Sequence, residues 1–177
     1  GPNRHDGMGP LYLQANRNKR SVVLDLKDAD DRGALLSLVA DADVFVSNVR
    51  PQAMARLGLG YEVVKAINPR LVYVGAVGFS EKGTYAGKPA YDDLIQGAAG
   101  VPSLTLEQGS EVPRYAPVTL GDRSVGLQTV IATVGALFHA QRTGEGQAVE
   151  VTMFESLSQF VLGDHMGGRT FDPPMGD

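Results

Sequence analysis

Apolar residues change their spacing along this chain in a way that separates strands from helices. A polar, basic turn at Asn16-Arg17-Asn18-Lys19-Arg20 leads into Ser21-Val22-Val23-Leu24-Asp25-Leu26, a short β-rich run. Residues 28–31 then open a helix that carries Ala34, Leu35, Leu38 and Val39 on one face. Val44-Phe45-Val46 is a near-continuous apolar strand, the type found in a parallel sheet covered on both faces. Pro51 suits the first turn of a helix running through Leu57. Tyr61 to Ile67 reads as another short helix, stopped by Asn68-Pro69, and Leu71 to Val77 as a further strand.

Beyond a loop over Glu81 to Pro89, Tyr91 to Ala99 reads as a helix with Asp92, Asp93 and Gln96 on its polar side. The stretch from Val101 to Pro117 holds Pro102, Pro113 and Pro117 and is expected to be irregular. After it, Val125, Leu127, Val130, Ile131, Val134, Leu137 and Phe138 fall at helical spacing. Gly126 and Gly135 inside that helix cost about 1 kcal/mol each relative to Ala, which points to close backbone packing there. Arg142-Thr143-Gly144 closes it with a cationic last turn and a C′ glycine. Val149 and Val151 alternate with Glu150 and Thr152 in a last strand, and Phe154 to Leu162 forms a final helix. Alternating β and α elements predict an α/β fold with a mainly parallel sheet.

Composition narrows the function classes. The 177 residues allow one domain with a real core. Sixteen Lys and Arg against twenty Asp and Glu leave a net charge of −4, with no basic excess to suggest a nucleic-acid partner. The absence of cysteine excludes disulfides, thiolate metal sites and a thiol nucleophile. No apolar run approaches the roughly 20 residues of a membrane span, so a cytoplasmic protein without a membrane partner is expected. His5, His139 and His165 are far apart and form no metal-ligand pair. Neither a G-x-G-x-x-G fingerprint, nor a Walker A loop, nor G-x-S-x-G is present.

A carboxylate remains. Asp122 stands in Gly121-Asp122-Arg123-Ser124 at the head of the long helix. There it serves either as a helix N-cap or as a nucleophilic or acid–base group at the mouth of a site. Spacing alone does not decide between the two.

Several blocks taken together resemble the class III CoA-transferases, the family of formyl-CoA transferase and carnitine CoA-transferase. Residues 18–27 are similar to the family segment N-K-R-S-x-x-L-D-L/M-K. Asp43 to Pro51, followed by Leu57-Gly58, resembles D-V-x-V/I-x-N-F/Y-x-P with a later L/M-G. Tyr91-Asp92 with Gln96 and Gly100 is similar to the family's Y-D helix. Leu120-Gly121-Asp122 with Gly126 resembles L/I-G/A-D-x-x-x-G, and residues 142–147 resemble R-x-T-G-x-G-Q with Arg142 one position nearer the Thr. The blocks run in family order across nearly the whole chain.

The resemblance implies a Rossmann-like, mainly parallel sheet with flanking helices, the central part of a larger two-domain, interlocked-dimer fold. Residues 1–163 would be part of the large, CoA-binding and catalytic domain, and 164–177 the start of a linker to a small domain. It makes Asp122 the nucleophile. The carboxylate attacks an acyl-CoA thioester, and CoA passes through an aspartyl thioester to an acceptor carboxylic acid. An aspartate of ordinary pKa, near about 3.9, is ionised at pH 7 and needs no general base. Coenzyme A enters as a substrate, with no permanently bound cofactor. Leu24 and Lys27 match the adenine-nucleotide end of its path. Asn48, Val49 and Arg56 match a CoA-contacting loop and helix, although the family often has an aromatic where Val49 stands. Tyr91 matches a tyrosine beside the pantetheine, and Lys88 lies one position from a family lysine.

Two other readings stay open. An acyl-CoA racemase of the same superfamily would use a His/Asp pair and a His ahead of the Tyr91 helix, where this chain has Lys88-Pro89. A non-catalytic CoA-binding module would use Asp122 only as a cap.

Overall fold

The computed structural model describes residues 4–176, which form two compact units divided between Leu35 and Leu36. The first holds α1 (Pro10–Ala15), whose residues are all outside the core, and the start of α2 (Ala29–Ala40). Asp28 caps α2: its Oδ1 accepts the N–H groups of Asp30 at 2.9 Å and Asp31 at 3.1 Å, two of the donors a helix start leaves unpaired. The β-rich run at residues 21–26 is not a strand. Its backbone joins no ladder, the Asp25 N–H donating instead to Asp31 Oδ2 at 2.7 Å, and Val23 is 93% exposed. Branched apolar residues favour an extended backbone, but a strand needs a partner for its N–H and C=O groups.

The second unit is built on three parallel strands, β1 (Val44–Ser47), β2 (Val72–Val77) and β3 (Ala148–Thr152), in the order β1-β2-β3. Val46 lies opposite Val74, and Val74 opposite Val149. Alternation along β2 feeds two cores. Val72 and Val74 pack on Ala136 and Ala140 of α7 (Leu120–Thr143), with Val44, Leu137 and Val149 around them. Leu71 packs with Val39 and Val64 on the opposite side, together with Phe45 and Tyr73. Tyr73 stacks on Phe45 at 5.5 Å, and its hydroxyl donates to the Leu59 carbonyl at 3.1 Å. Burial pushes the pKa of that phenol up.

The connections follow the sequence closely. Helices α3 (Pro51–Arg56), with proline in its first turn, and α4 (Tyr61–Ile67) link β1 to β2. The Asn68 side chain donates to the carbonyls of Val39, Ala40 and Ala42, closing the end of α2. Next come α5 (Asp92–Ala98) and α6 (Val101–Glu107). The second is a correction, because Val101 to Pro117 was expected to be irregular. Pro102 lies in the first turn of α6, where its missing N–H costs nothing. Finally α8 (Met153–His165) follows β3, and a 3-10 turn (Gly167–Thr170) follows α8. Ile95, Ala99, Val101, Leu157 and Val161 make a third core from α5, α6 and α8.

Helix α7 differs from expectation in which residues it buries. Its 24 residues span about 36 Å. Gly121, Val125, Ala136 and Ala140 are buried, whereas Leu127, Val130, Ile131, Val134 and Phe138 are exposed. The sheet accepts the small side of the helix and leaves the large apolar side uncovered. Gly126 and Gly135 face open space, with nothing within 4 Å of where a Cβ would stand. Close packing is therefore not why they are glycine.

Candidate active site

A cleft of about 660 Å³ opens at the carboxyl ends of all three strands. Asn48 and Arg50 reach it from the turn after β1, Ala76, Val77 and Gly78 from the end of β2, and Met153 from the end of β3. This is the edge at which parallel α/β sheets generally bind ligands, because the strands end there and the following turns are free to vary. Lys88, Pro89, Ala90, Tyr91 and Asp92 form another wall, and Asp122 stands at the head of α7. Of the residues singled out in the sequence, Asn48, Tyr91 and Asp122 are brought together here, with Lys88 beside them. Val49 and Arg56 are exposed and outside the lining; the Val49 N–H is held by Ser47 Oγ at 3.0 Å. Leu24 and Lys27 belong to the first unit, Leu24 half-buried and Lys27 exposed, the Lys27 N–H donating to Asp25 Oδ1 at 3.0 Å.

Asp122 is not the N-cap of α7. The helix starts at Leu120 with Thr119 as its cap, and Asp122 is the third residue of the first turn. No side chain of the cap supplies a hydrogen bond. Instead the Asp122 N–H donates to Asp92 Oδ1 at 2.9 Å, across thirty residues of sequence. The Asp122 carboxyl itself accepts no hydrogen bond among the described residues. Its pKa is raised from the ordinary 3.8, first by partial burial and then by the like charge of Asp92. The expectation of an aspartate of ordinary pKa is corrected in that respect.

Asp92 and Gln96, which sequence reasoning left on a polar helix face, meet the head of α7. Gln96 is 1% exposed. Its Nε2 donates to Asp92 Oδ2 at 2.6 Å and to the Val118 carbonyl at 3.2 Å, and its Oε1 accepts the Ala116 N–H at 2.9 Å. Both stand in the block that resembles the family's Y-D helix, four residues apart on one face, but that block gave neither of them a task. Arg50 was also missed: it lines the cleft, and its Nη1 donates to the Gly87 carbonyl at 3.4 Å. That bond reaches the loop before Lys88, whose ammonium lies 4.5 Å from the Tyr85 ring centre. Tyr85 in turn packs on Phe79 and Phe154.

Chemically the cleft pairs an unbridged carboxylate at a helix head with two cations, one hydroxyl and one amide. It can offer an oxygen nucleophile to an electrophilic carbonyl and hold anionic groups nearby. No histidine lines it.

The model of CoA-transferase family III matches residues 1–175. An acyl-CoA transferase of Fusarium pseudograminearum is 39% identical over 155 residues, covering 86% of this chain and 34% of that protein. An acetyl-CoA:oxalate CoA-transferase of Acetobacter aceti is 38% identical over 152 residues, covering 85% of this chain and 39% of the relative. The crystal structure of a CaiB/BaiF family protein from Brucella suis superposes with a TM-score of 0.85 at 32% identity, over 97% of this chain and 46% of that one. The chain thus spans between a third and a half of the length of these relatives. On a match that runs through both units and every strand of the sheet, the chain belongs to CoA-transferase family III.

Proposed function

We propose that the protein carrying this chain transfers coenzyme A from an acyl-CoA thioester to an acceptor carboxylic acid, with Asp122 as the covalent nucleophile. The observation that carries this reading is the Asp122 carboxylate, unbridged, at the mouth of a cleft at the strand ends. An Asp122 oxygen attacks the thioester carbonyl, the C–S bond breaks, and CoA thiolate leaves an acyl-aspartyl anhydride. The thiolate attacks the aspartyl carbonyl of the anhydride and releases the donor acid as its carboxylate. The acceptor carboxylate then attacks the aspartyl thioester, expelling the thiolate and forming a second anhydride. Attack of the thiolate on the acceptor's acyl carbon gives the new acyl-CoA and returns Asp122. Each intermediate keeps its acyl group activated, and protons balance without a general base.

Asn48 and Tyr91 suit contacts along the CoA path, and Arg50 and Lys88 suit its anionic groups or those of the acids. Leu24, Lys27, Val49 and Arg56 are proposed for CoA on the family resemblance. The racemase reading loses support because no histidine lines the cleft. A homodimer is also proposed; the uncovered stripe of Leu127, Val130, Ile131, Val134 and Phe138 is apolar enough to be an interface. A cytoplasmic location, and residues 1–163 as part of a large domain leading through 164–177 to a smaller one, complete the reading.

The test is steady-state CoA exchange between acyl-CoAs and carboxylic acids, using the protein as its gene encodes it. Asp122→Asn should lose turnover by at least about 1,000-fold while CoA still binds. Full turnover by Asp122→Asn would end the proposal.

A further inference from the structure

We propose that Asp92 and Gln96 are a positioning pair that fixes the Asp122 turn against the cleft. The inference rests on the transferase reading and extends it to residues that do not themselves react. Four hydrogen bonds carry it. Asp92 Oδ1 accepts the Asp122 N–H at 2.9 Å, and Asp92 Oδ2 accepts Gln96 Nε2 at 2.6 Å. Gln96 then grips the strap that leads into α7 from both sides, donating to Val118 and accepting from Ala116. One buried amide thereby ties α5, the strap and the first turn of α7 together.

The chemistry of each group suits this task. A helix start has free N–H groups, and Thr119 gives no side-chain bond to them. A carboxylate from another helix supplies the acceptor and is itself favoured by the dipole of a 24-residue helix. Both N–H groups of the Gln96 amide are used and so is its oxygen, which leaves one geometry open to it. Gly121 makes room: a Cβ there would stand 3.1 Å from Asp92 Oδ1. The arrangement carries an electrostatic cost, since Asp92 raises the pKa of the nucleophile it holds.

A displaced nucleophile loses rate steeply, because about 1 Å of misplacement can cost around 100-fold. Three proteins decide the matter, each with the full sequence its gene supplies: wild type, Asp92→Ala and Asp92→Asn. Asp92→Ala is expected to lower kcat about 100-fold with KM for acyl-CoA within about threefold of wild type. Asp92→Asn keeps Oδ1 as an acceptor for the Asp122 N–H but sets an amide NH2 against Gln96 Nε2, so it should recover only part of that loss, at least about tenfold.

The charged and titratable groups sharing the cleft with Asp122 are Asp92, Arg50, Lys88 and Tyr91. Only the first changes in Asp92→Asn, so the acid limb of its kcat/KM profile should move to lower pH. If Asp92→Ala does not fold, that shift together with a kcat above one-tenth of wild type supports the pair. An unshifted limb, or a kcat below that level, overturns it. Unchanged kcat in a folded Asp92→Ala, or a loss confined to KM, also overturns it while leaving the transferase intact. An inactive wild type overturns the transferase reading and this inference with it.

Discussion

Asp92 both holds and burdens Asp122: it accepts the Asp122 N–H at 2.9 Å, and its charge helps raise the pKa of the Asp122 carboxyl. The backbone bond joins α5 to the first turn of α7, while the like charge disfavours the anion that the proposed reaction needs. Partial burial is the larger of the two causes.

The raised pKa sets the acid side of activity. On the proposed mechanism Asp122 must be ionised to attack, so kcat/KM should fall as pH drops through a midpoint above the ordinary 3.8. A pH–rate profile measures that midpoint. A limb at or below 3.8 would mean that the surroundings of Asp122 do not disfavour its anion.

The same shift predicts a trade between stability and function. The folded protein binds the Asp122 proton more tightly than the unfolded chain does, so ionisation weakens the fold as pH rises through the folded pKa. Asp122→Asn should therefore raise Tm at neutral pH. The gain should vanish below pH 3.8, where the carboxyl is protonated in both states. Thermal melts at both pH values test this, and a loss of Tm at neutral pH would contradict it.

Gly121 separates close approach from helix propensity. Alanine would favour a helix interior by about 1 kcal/mol, but its Cβ would stand 3.1 Å from Asp92 Oδ1 and 3.7 Å from Leu157 and Ile95 carbons. Gly121→Ala should lower kcat at least about tenfold, with a stability change below about 2 kcal/mol. Wild-type kcat in this variant would show that Asp92 can shift freely.

Gly126 and Gly135 give the opposite case. Both face open space on α7, so Gly126→Ala and Gly135→Ala should each stabilise by about 1 kcal/mol in denaturant melts. Destabilisation by either would show that another surface lies against that side of the helix in the folded protein.

How far the sequence could be read depended on whether the signal was local. The helix at Tyr61 to Ile67 was legible to the residue, because glycine precedes it and Asn68-Pro69 ends it. Strands β1, β2 and β3 were legible from apolar runs and alternation. The run at Ser21 to Leu26 has equal β character but finds no ladder partner, and propensity carries no information about partners. Helix α6 was hidden by Pro102, since a proline in a first turn reads like a breaker until the helix start is known. On α7 the periodicity marked the apolar residues but not the face that is buried, which small residues form.

The site divides the same way. The motifs singled out Asn48, Tyr91 and Asp122, and the fold brings all three to one cleft. Asp92 stands in the same motif as Tyr91, but its bond to the Asp122 N–H exists only when a helix thirty residues away brings that group to its carboxylate.

The central claim is a covalent bond to Asp122, and intact mass measurement followed by peptide mapping addresses it most directly. Full-length protein is incubated with an acyl-CoA and no acceptor, quenched in acid, and weighed. An added mass of an acyl group or of CoA is expected on the peptide containing Asp122, absent in Asp122→Asn. An active protein with no adduct there, or with the adduct on another residue, would contradict it.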